Sequence, residues 1–228
     1  MTHAAVADGS MSKRLMALTA ACLILTTLIE VLAITHHPHV QDRDQLRATL
    51  EIVSLSQLSG WIHGAAIGCC LLIAYCLGEL LGKRIPASAM RLAALVYAAG
   101  ITAWITAATV DGWVLGRLAG SLPHDTAADL ESNARIFKMC MAWVVASTNV
   151  GFVLTSVAII VASVGLLRNG RFWQIAGTLG LLVGAALSCS ILTGRLTMDG
   201  HGARVAVGLQ ALWFVSLGIV SLKTTWES

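Results

Sequence analysis

Charge is scarce in this 228-residue chain: Asp, Glu, Lys and Arg together make up 12%, about half of what a soluble domain carries. With 57% hydrophobic residues and a mean hydropathy of +0.78, that shortage argues against a water-soluble globule and for an integral membrane protein in a lipid bilayer. A basic stripe interleaved with aromatics is missing and the formal net charge is only +3, which argues against nucleic acid as a partner. The six cysteines form no C-x-x-C. Cys22, Cys69, Cys70, Cys76, Cys140 and Cys189 lie in or beside apolar runs and read as buried reduced thiols. The chain also lacks a P-loop, a G-x-G-x-x-G, a G-x-S-x-G elbow and an H-E-x-x-H. Phosphate and dinucleotide chemistry, serine hydrolysis and a helical zincin site therefore have no support.

What the chain does have is long apolar runs. A bilayer core about 30 Å thick needs about 20 apolar residues in helix, and six stretches meet or approach that: residues 15–35, 55–81, 92–116, 139–167, 172–194 and 205–222. The expected fold is all-α, a polytopic bundle of six transmembrane helices between an N-terminal tail (1–14) and a C-terminal tail (223–228). All three prolines, Pro38, Pro86 and Pro123, fall between the runs, where a missing N–H costs least. The runs are continuous and do not alternate, which removes a β-barrel. Their many glycines and alanines suit close helix–helix approach in lipid. Lys13 and Arg14 precede the first run, but it exceeds a signal-peptide core and no A-x-A-like site follows, so it reads as a retained helix. Two polar connections, "DRDQLRATLEIVS" and "HDTAADLESNARIFK", predict short amphipathic helices. Asp42 or Asp44, and Asp125, would cap them; Arg47–Glu51 and Glu131–Arg135 are i,i+4 pairs.

Six spans put both termini on one side. The shortest connections are basic, as in "RNGR" at Arg168–Arg171, so the positive-inside rule places the termini in the cytoplasm. A bacterial inner membrane is the expected location. Under that topology nine of the twelve acids and six of the seven histidines fall on the outer side. Glu30, His63 (in "SGWIHGAA") and Asp111 (in "TVDGWVLG") lie inside the runs, within about 10 Å of the outer surface at 1.5 Å rise per residue. An ionisable group central in a membrane costs about 2.5–3.5 kcal/mol and ordinarily faces the bundle interior and a partner. Glu30, His63, Asp111 and, at the mouth, His201 are therefore predicted to form an outer-leaflet pocket, with Ser59, Asn149 and Asp199 in support. Its expected ligand is a metal ion, zinc or copper, or a small polar molecule, with His63 as ligand or proton carrier.

"ITHHPHV", Ile34–Val40, raises a second site. Pro38 disfavours a regular helix across His36, His37 and His39, so the three form a loop cluster. It reads as an interfacial polar cap, as a lid over the pocket, or as a weak copper or zinc site. Other readings stay open. His63 and His201 on different spans are a candidate pair for b-type haem. A carboxylate–histidine set also suits a proton-coupled transporter, although no internal repeat supports one. A non-catalytic accessory or assembly subunit, in contact with another membrane protein or with copies of itself, fits the small-residue stripes and the tryptophans near span ends. Finally, Ser59-x-x-x-His63, Asp111 on the next span and His201 at the start of the last partly resemble the seven-helix zinc hydrolases of the adiponectin-receptor and alkaline-ceramidase type. That resemblance implies a lipid-modifying metallohydrolase. The chain departs from it in having six spans and in carrying Val205 where a second histidine of the last motif would stand.

Overall fold

The structure is a computed structural model that describes the backbone of residues 2–37, 45–121, 127–198 and 200–227, and the side chains of 13–37, 58–118, 132–198 and 201–227. Among these residues it is all-helical, without strands. Helix α1 runs Thr2–Thr35, α2 Gln45–Leu81, α3 Ala87–Thr109, and a π-turn follows at Val110–Val114. Then come α4 Leu115–Ser121, α5 Ala127–Leu166, α6 Arg171–Leu192 and α7 Gly200–Glu227. Six segments are long and apolar enough to cross a membrane: Lys13–Thr35, Leu58–Leu81, Ala87–Leu118, Ser132–Leu166, Arg171–Leu192 and His201–Glu227. The chain is a multi-pass membrane protein. From Gln45 and from Ala127 onward, the amphipathic segments expected before the second and fourth spans are helical and continuous with those spans as α2 and α5. Arg47, Glu51 and Glu131, named for ion pairs there, and the caps Asp42, Asp44 and Asp125 lie outside the described side chains.

Successive spans pack side by side, and α7 closes back onto α1. The ring order α1–α2–α3–α5–α6–α7 follows from the short connections. Residues 82–86 and 167–170 are too short to do anything but reverse the chain. Pro86 precedes α3 with φ −54° and ψ 141°, a conformation that ends one helix and starts the next. At this end Asn169 Nδ2 donates to the Arg84 carbonyl at 2.8 Å, and the Arg84 guanidinium lies 5.0 Å from the centre of the Trp173 ring. The two basic turns are thus fastened together.

Leu18, Leu25 and Leu32 lie seven apart on α1 and are all more than half exposed. In water such a stripe would be an aggregation hazard; in a bilayer it is solvated by acyl chains. Inside, two apolar clusters divide the bundle. One, around Leu23, Leu80, Leu166 and Trp213, fills the half with the basic turns. The other, around Phe152, Leu187 and Ala206, fills the opposite half, called here the histidine end. Threonines in the spans satisfy their hydroxyls on their own helix: Thr27 donates to the Leu23 carbonyl at 2.7 Å and Thr102 to that of Ala98 at 2.9 Å. Some polar side chains bond across helices, while the buried Ser163 and Ser188 hydroxyls have no hydrogen-bond partner among the described residues. Gln210 Nε2 on α7 donates to Thr155 Oγ1 on α5 at 2.8 Å.

Small residues set the helix separations. On α6, Gly177, Gly180 and Gly184 all face neighbouring helices. A Cβ on Gly180 would overlap the Ser163 hydroxyl and the Trp213 ring. A Cβ on Gly184 would meet the Ser156 carbonyl of α5 at 2.7 Å. In lipid, where apolar surface gains nothing by association, this close contact is the attraction that holds helices together. Replacing Gly180 by Ala should therefore destabilise the bundle by about 1–3 kcal/mol through overpacking. Replacing Gly170, whose Cβ would meet nothing within 4 Å, should leave stability near wild type. Thermal unfolding of both variants in detergent micelles checks this.

Candidate metal centre

Three side chains from three separate segments meet at the histidine end: His37 just after α1, His63 on α2 and Asp111 in the π-turn. His63 Nε2 is 3.2 Å from His37 Nε2 and 3.2 Å from Asp111 Oδ2. His37 Nε2 is 3.5 Å from the same Oδ2. The His63 side chain is 8% exposed, those of His37 and Asp111 21% and 29%, so the cluster is buried on the α2 side and open on the other.

The local sequence explains the convergence. In "TVDGWV", Thr, Val, Asp and Gly are all poor helix formers. The helix loosens there by one residue, so that the Leu115 N–H bonds to the Val110 carbonyl five positions back. Such π-turns occur frequently at functional sites. Gly112 then lies against the His63 ring: a Cβ there would meet His63 Cβ and Cγ at 2.9 Å. The neighbouring Trp113 ring lies along Gly60 and Gly64 of α2. The run "SGWIHGAA" thus presents His63 between two glycines that admit the π-turn.

His63 is oriented from behind. Its Nδ1 lies 2.7 Å from the Ser59 carbonyl oxygen and 3.3 Å from Ser59 Oγ. A carbonyl only accepts, so Nδ1 carries a proton. In the neutral ring Nε2 is then a bare lone pair directed at the Asp111 carboxylate. Two acceptors 3.2 Å apart repel unless a metal ion, an added proton or the N–H of the adjoining His37 Nε2 lies between them. The spacing bears on which it is. Donors about 2.0–2.1 Å from a tetrahedral zinc lie about 3.3–3.4 Å from one another, and the three observed separations are 3.2, 3.2 and 3.5 Å. Histidine and carboxylate are also the donors that zinc and copper accept, and a ring N–H held by a backbone carbonyl is the usual outer-sphere support.

The other residues singled out in the sequence are placed as follows. Glu30 lies deeper in the bundle, where its Oε1 accepts from the Cys70 thiol at 3.2 Å; it is not in the cluster. His201, on the first turn of α7, is exposed and does not join the three donors. His36 folds back on its own helix, with Nδ1 2.9 Å from the Leu32 carbonyl oxygen. Asn149 is half-buried on α5. His39 and Asp199 lie outside the described residues. Of the two described loop histidines, His37 reaches the pocket residues and His36 does not. A separate crevice of about 280 Å³ opens between α2 and α3, lined by Leu77, Ala94, Tyr97 and Ile101 among others. It is apolar and offers nothing that would hold an ion.

If Gly112 sets the His63–Asp111 distance, Gly112→Ala must push the two segments apart. It should weaken zinc binding by about 10–100-fold, the range seen when support around a metal ligand is lost. Gly68→Ala, with nothing within 4 Å of the added carbon, should leave binding unchanged; competition with a zinc-sensitive dye measures both.

Comparison with protein-family models, curated proteins and solved structures finds no match to this chain.

Proposed function

We propose that this protein binds a divalent transition-metal ion, zinc or copper, near one face of the membrane, through His37 Nε2, His63 Nε2 and Asp111 Oδ2. One observation carries the reading: three donors of the right type, from three segments, stand at the mutual spacing that a tetrahedral ion imposes. Among the described residues three protein ligands converge, and those of His37 and Asp111 are partly exposed. The basic turns at the opposite end support a cytoplasmic position for the termini and an outward-facing metal centre, in a bacterial inner membrane.

A second reading rests on the same contacts. An imidazolium on His37 or His63 paired with Asp111 would also neutralise the cluster and would simply tie α1, α2 and the π-turn together. The two readings separate in one experiment. The chain is purified in mild detergent without a polyhistidine tag, equilibrated with zinc, and freed of unbound metal by gel filtration. Elemental analysis should find about one ion per chain. His63→Ala and Asp111→Asn should lose it; His36→Ala and Glu30→Gln should keep it. Cobalt(II) at the same site should show the visible absorption of a tetrahedral complex. Acidification should release the ion as the imidazoles are protonated. A wild-type chain that never retains zinc or cobalt, while His63→Ala lowers its melting temperature, decides for the ion pair.

A further inference from the structure

The crevice of about 280 Å³ between α2 and α3 arises from an imbalance in close contacts. On its α5 side α3 is held tightly: a Cβ on Gly100 would meet Thr155 at 2.9 Å. On its α2 side it faces Gly78, where an added Cβ would meet nothing within 4 Å. The α3 residues along the gap, Ala93, Ala94 and Ala98, are too short to fill it. The floor is Ile159 and Ala162 of α5 and Trp213 of α7, all buried. The rims, Leu71 on α2 and Ala94 and Ala98 on α3, are exposed, so the crevice opens sideways, where the spans meet lipid. Its walls are apolar in effect as well as in composition. Thr102 donates its hydroxyl to the Ala98 carbonyl and Trp213 Nε1 donates to that of Ala176.

Shape and charge select the occupant. The lining runs from Leu71 to Leu81 on α2 and from Met90 to Ile105 on α3, about 15 and 22 Å at 1.5 Å per residue. Spread over that length, the volume is a slot only a few ångströms across. A helix with its side chains is about 10 Å wide and does not enter, whereas one extended hydrocarbon chain does. In a bilayer such a chain gains nothing by leaving water, so its wall contacts hold it weakly. The attraction comes from the end of the slot, at the basic turn 82–86. Leu81 and Met90 are the last lining residues; Lys83 stands two positions beyond the first and Arg91 next to the second. Both are exposed. Arg91 Nε donates to the Ala87 carbonyl at 3.3 Å, which keeps the guanidinium beside the start of α3. Among the described residues neither cation is in an ion pair. Glu79, the one described acid at this end of α2 and α3, is exposed on another face of α2. A basic site between spans at the membrane surface suits an anionic lipid headgroup.

We propose that the α2–α3 crevice holds an anionic phospholipid, with one acyl chain lying along Gly78 and Ala98 and the phosphate at Lys83 and Arg91. The proposal is independent of the metal-binding reading. The full chain in mild detergent is mixed with equal amounts of dioleoylphosphatidylglycerol and dioleoylphosphatidylcholine, whose acyl chains are identical. Native mass spectrometry then counts the lipid retained on the protein. Wild type should retain about one phosphatidylglycerol, in about tenfold preference to phosphatidylcholine. The double variant K83Q/R91Q should lose the preference and retain the two lipids alike. Gly78→Leu, which fills the slot, should lose the bound lipid. Gly68→Leu, on α2 outside the crevice and with equal room for a Cβ, should retain it as wild type does. If Gly78→Leu does not fold, Ala98→Leu at the exposed rim fills the slot from the other helix. Equal retention by wild type and the slot-filling variants overturns the proposal, as does a wild-type chain that retains the two lipids equally. A wild-type chain that retains no lipid but is a dimer, made monomeric by Gly78→Leu, overturns it in favour of a second copy of the chain at this face.

Discussion

Two acceptors facing each other across 3.2 Å, His63 Nε2 and the Asp111 carboxylate, repel unless a proton or a metal ion lies between them. The His63 ring cannot relieve the conflict by turning over. Its Nδ1–H is held by the Ser59 carbonyl, one turn back on the same helix, so Nε2 must face Asp111. Rotation of the Asp111 carboxylate would still leave one oxygen toward two imidazoles. The rest of the histidine end is arranged around this contact. Gly112 allows the approach, the π-turn aims Asp111 at α2, and Trp113 seals the side against Gly60 and Gly64. A helix of ordinary pitch carries a carboxylate past its neighbour. A helix with one added residue at the bend sets it there.

The opposite half of the molecule uses the same close approach for a different end. Gly177, Gly180 and Gly184 bring α6 onto α5 and α7 with no ionisable group between, and the polar contacts there are neutral: Trp213 Nε1 on the Ala176 carbonyl at 3.1 Å, and Gln210 on Thr155. Neutral hydrogen bonds between helices in lipid contribute about 1 kcal/mol each, comparable to their worth in water, and leave no charge to be matched. The bundle thus has one half whose interhelical polar contacts are neutral and one half that sets a carboxylate against two imidazoles.

The architecture was legible in the sequence because a bilayer demands it. Six long apolar runs separated by prolines and charges leave few alternatives to six helices. The site was legible in part. His63 and Asp111 stood out as ionisable groups at a common depth, and they do meet. Depth alone says nothing about azimuth, however, and Glu30 shows the consequence. It lies on α1 seven residues before His37, and its side chain meets Cys70, a residue that looks like plain core when each cysteine is considered singly. His37 was read as part of a loop cluster or as a lid because Pro38 follows it. Its place in the centre depends on where α1 stops, and helix ends are hard to fix from sequence. The π-turn left a trace, in the run of poor helix formers at Thr109–Gly112, but such a run more often marks the end of a helix than a bulge within one.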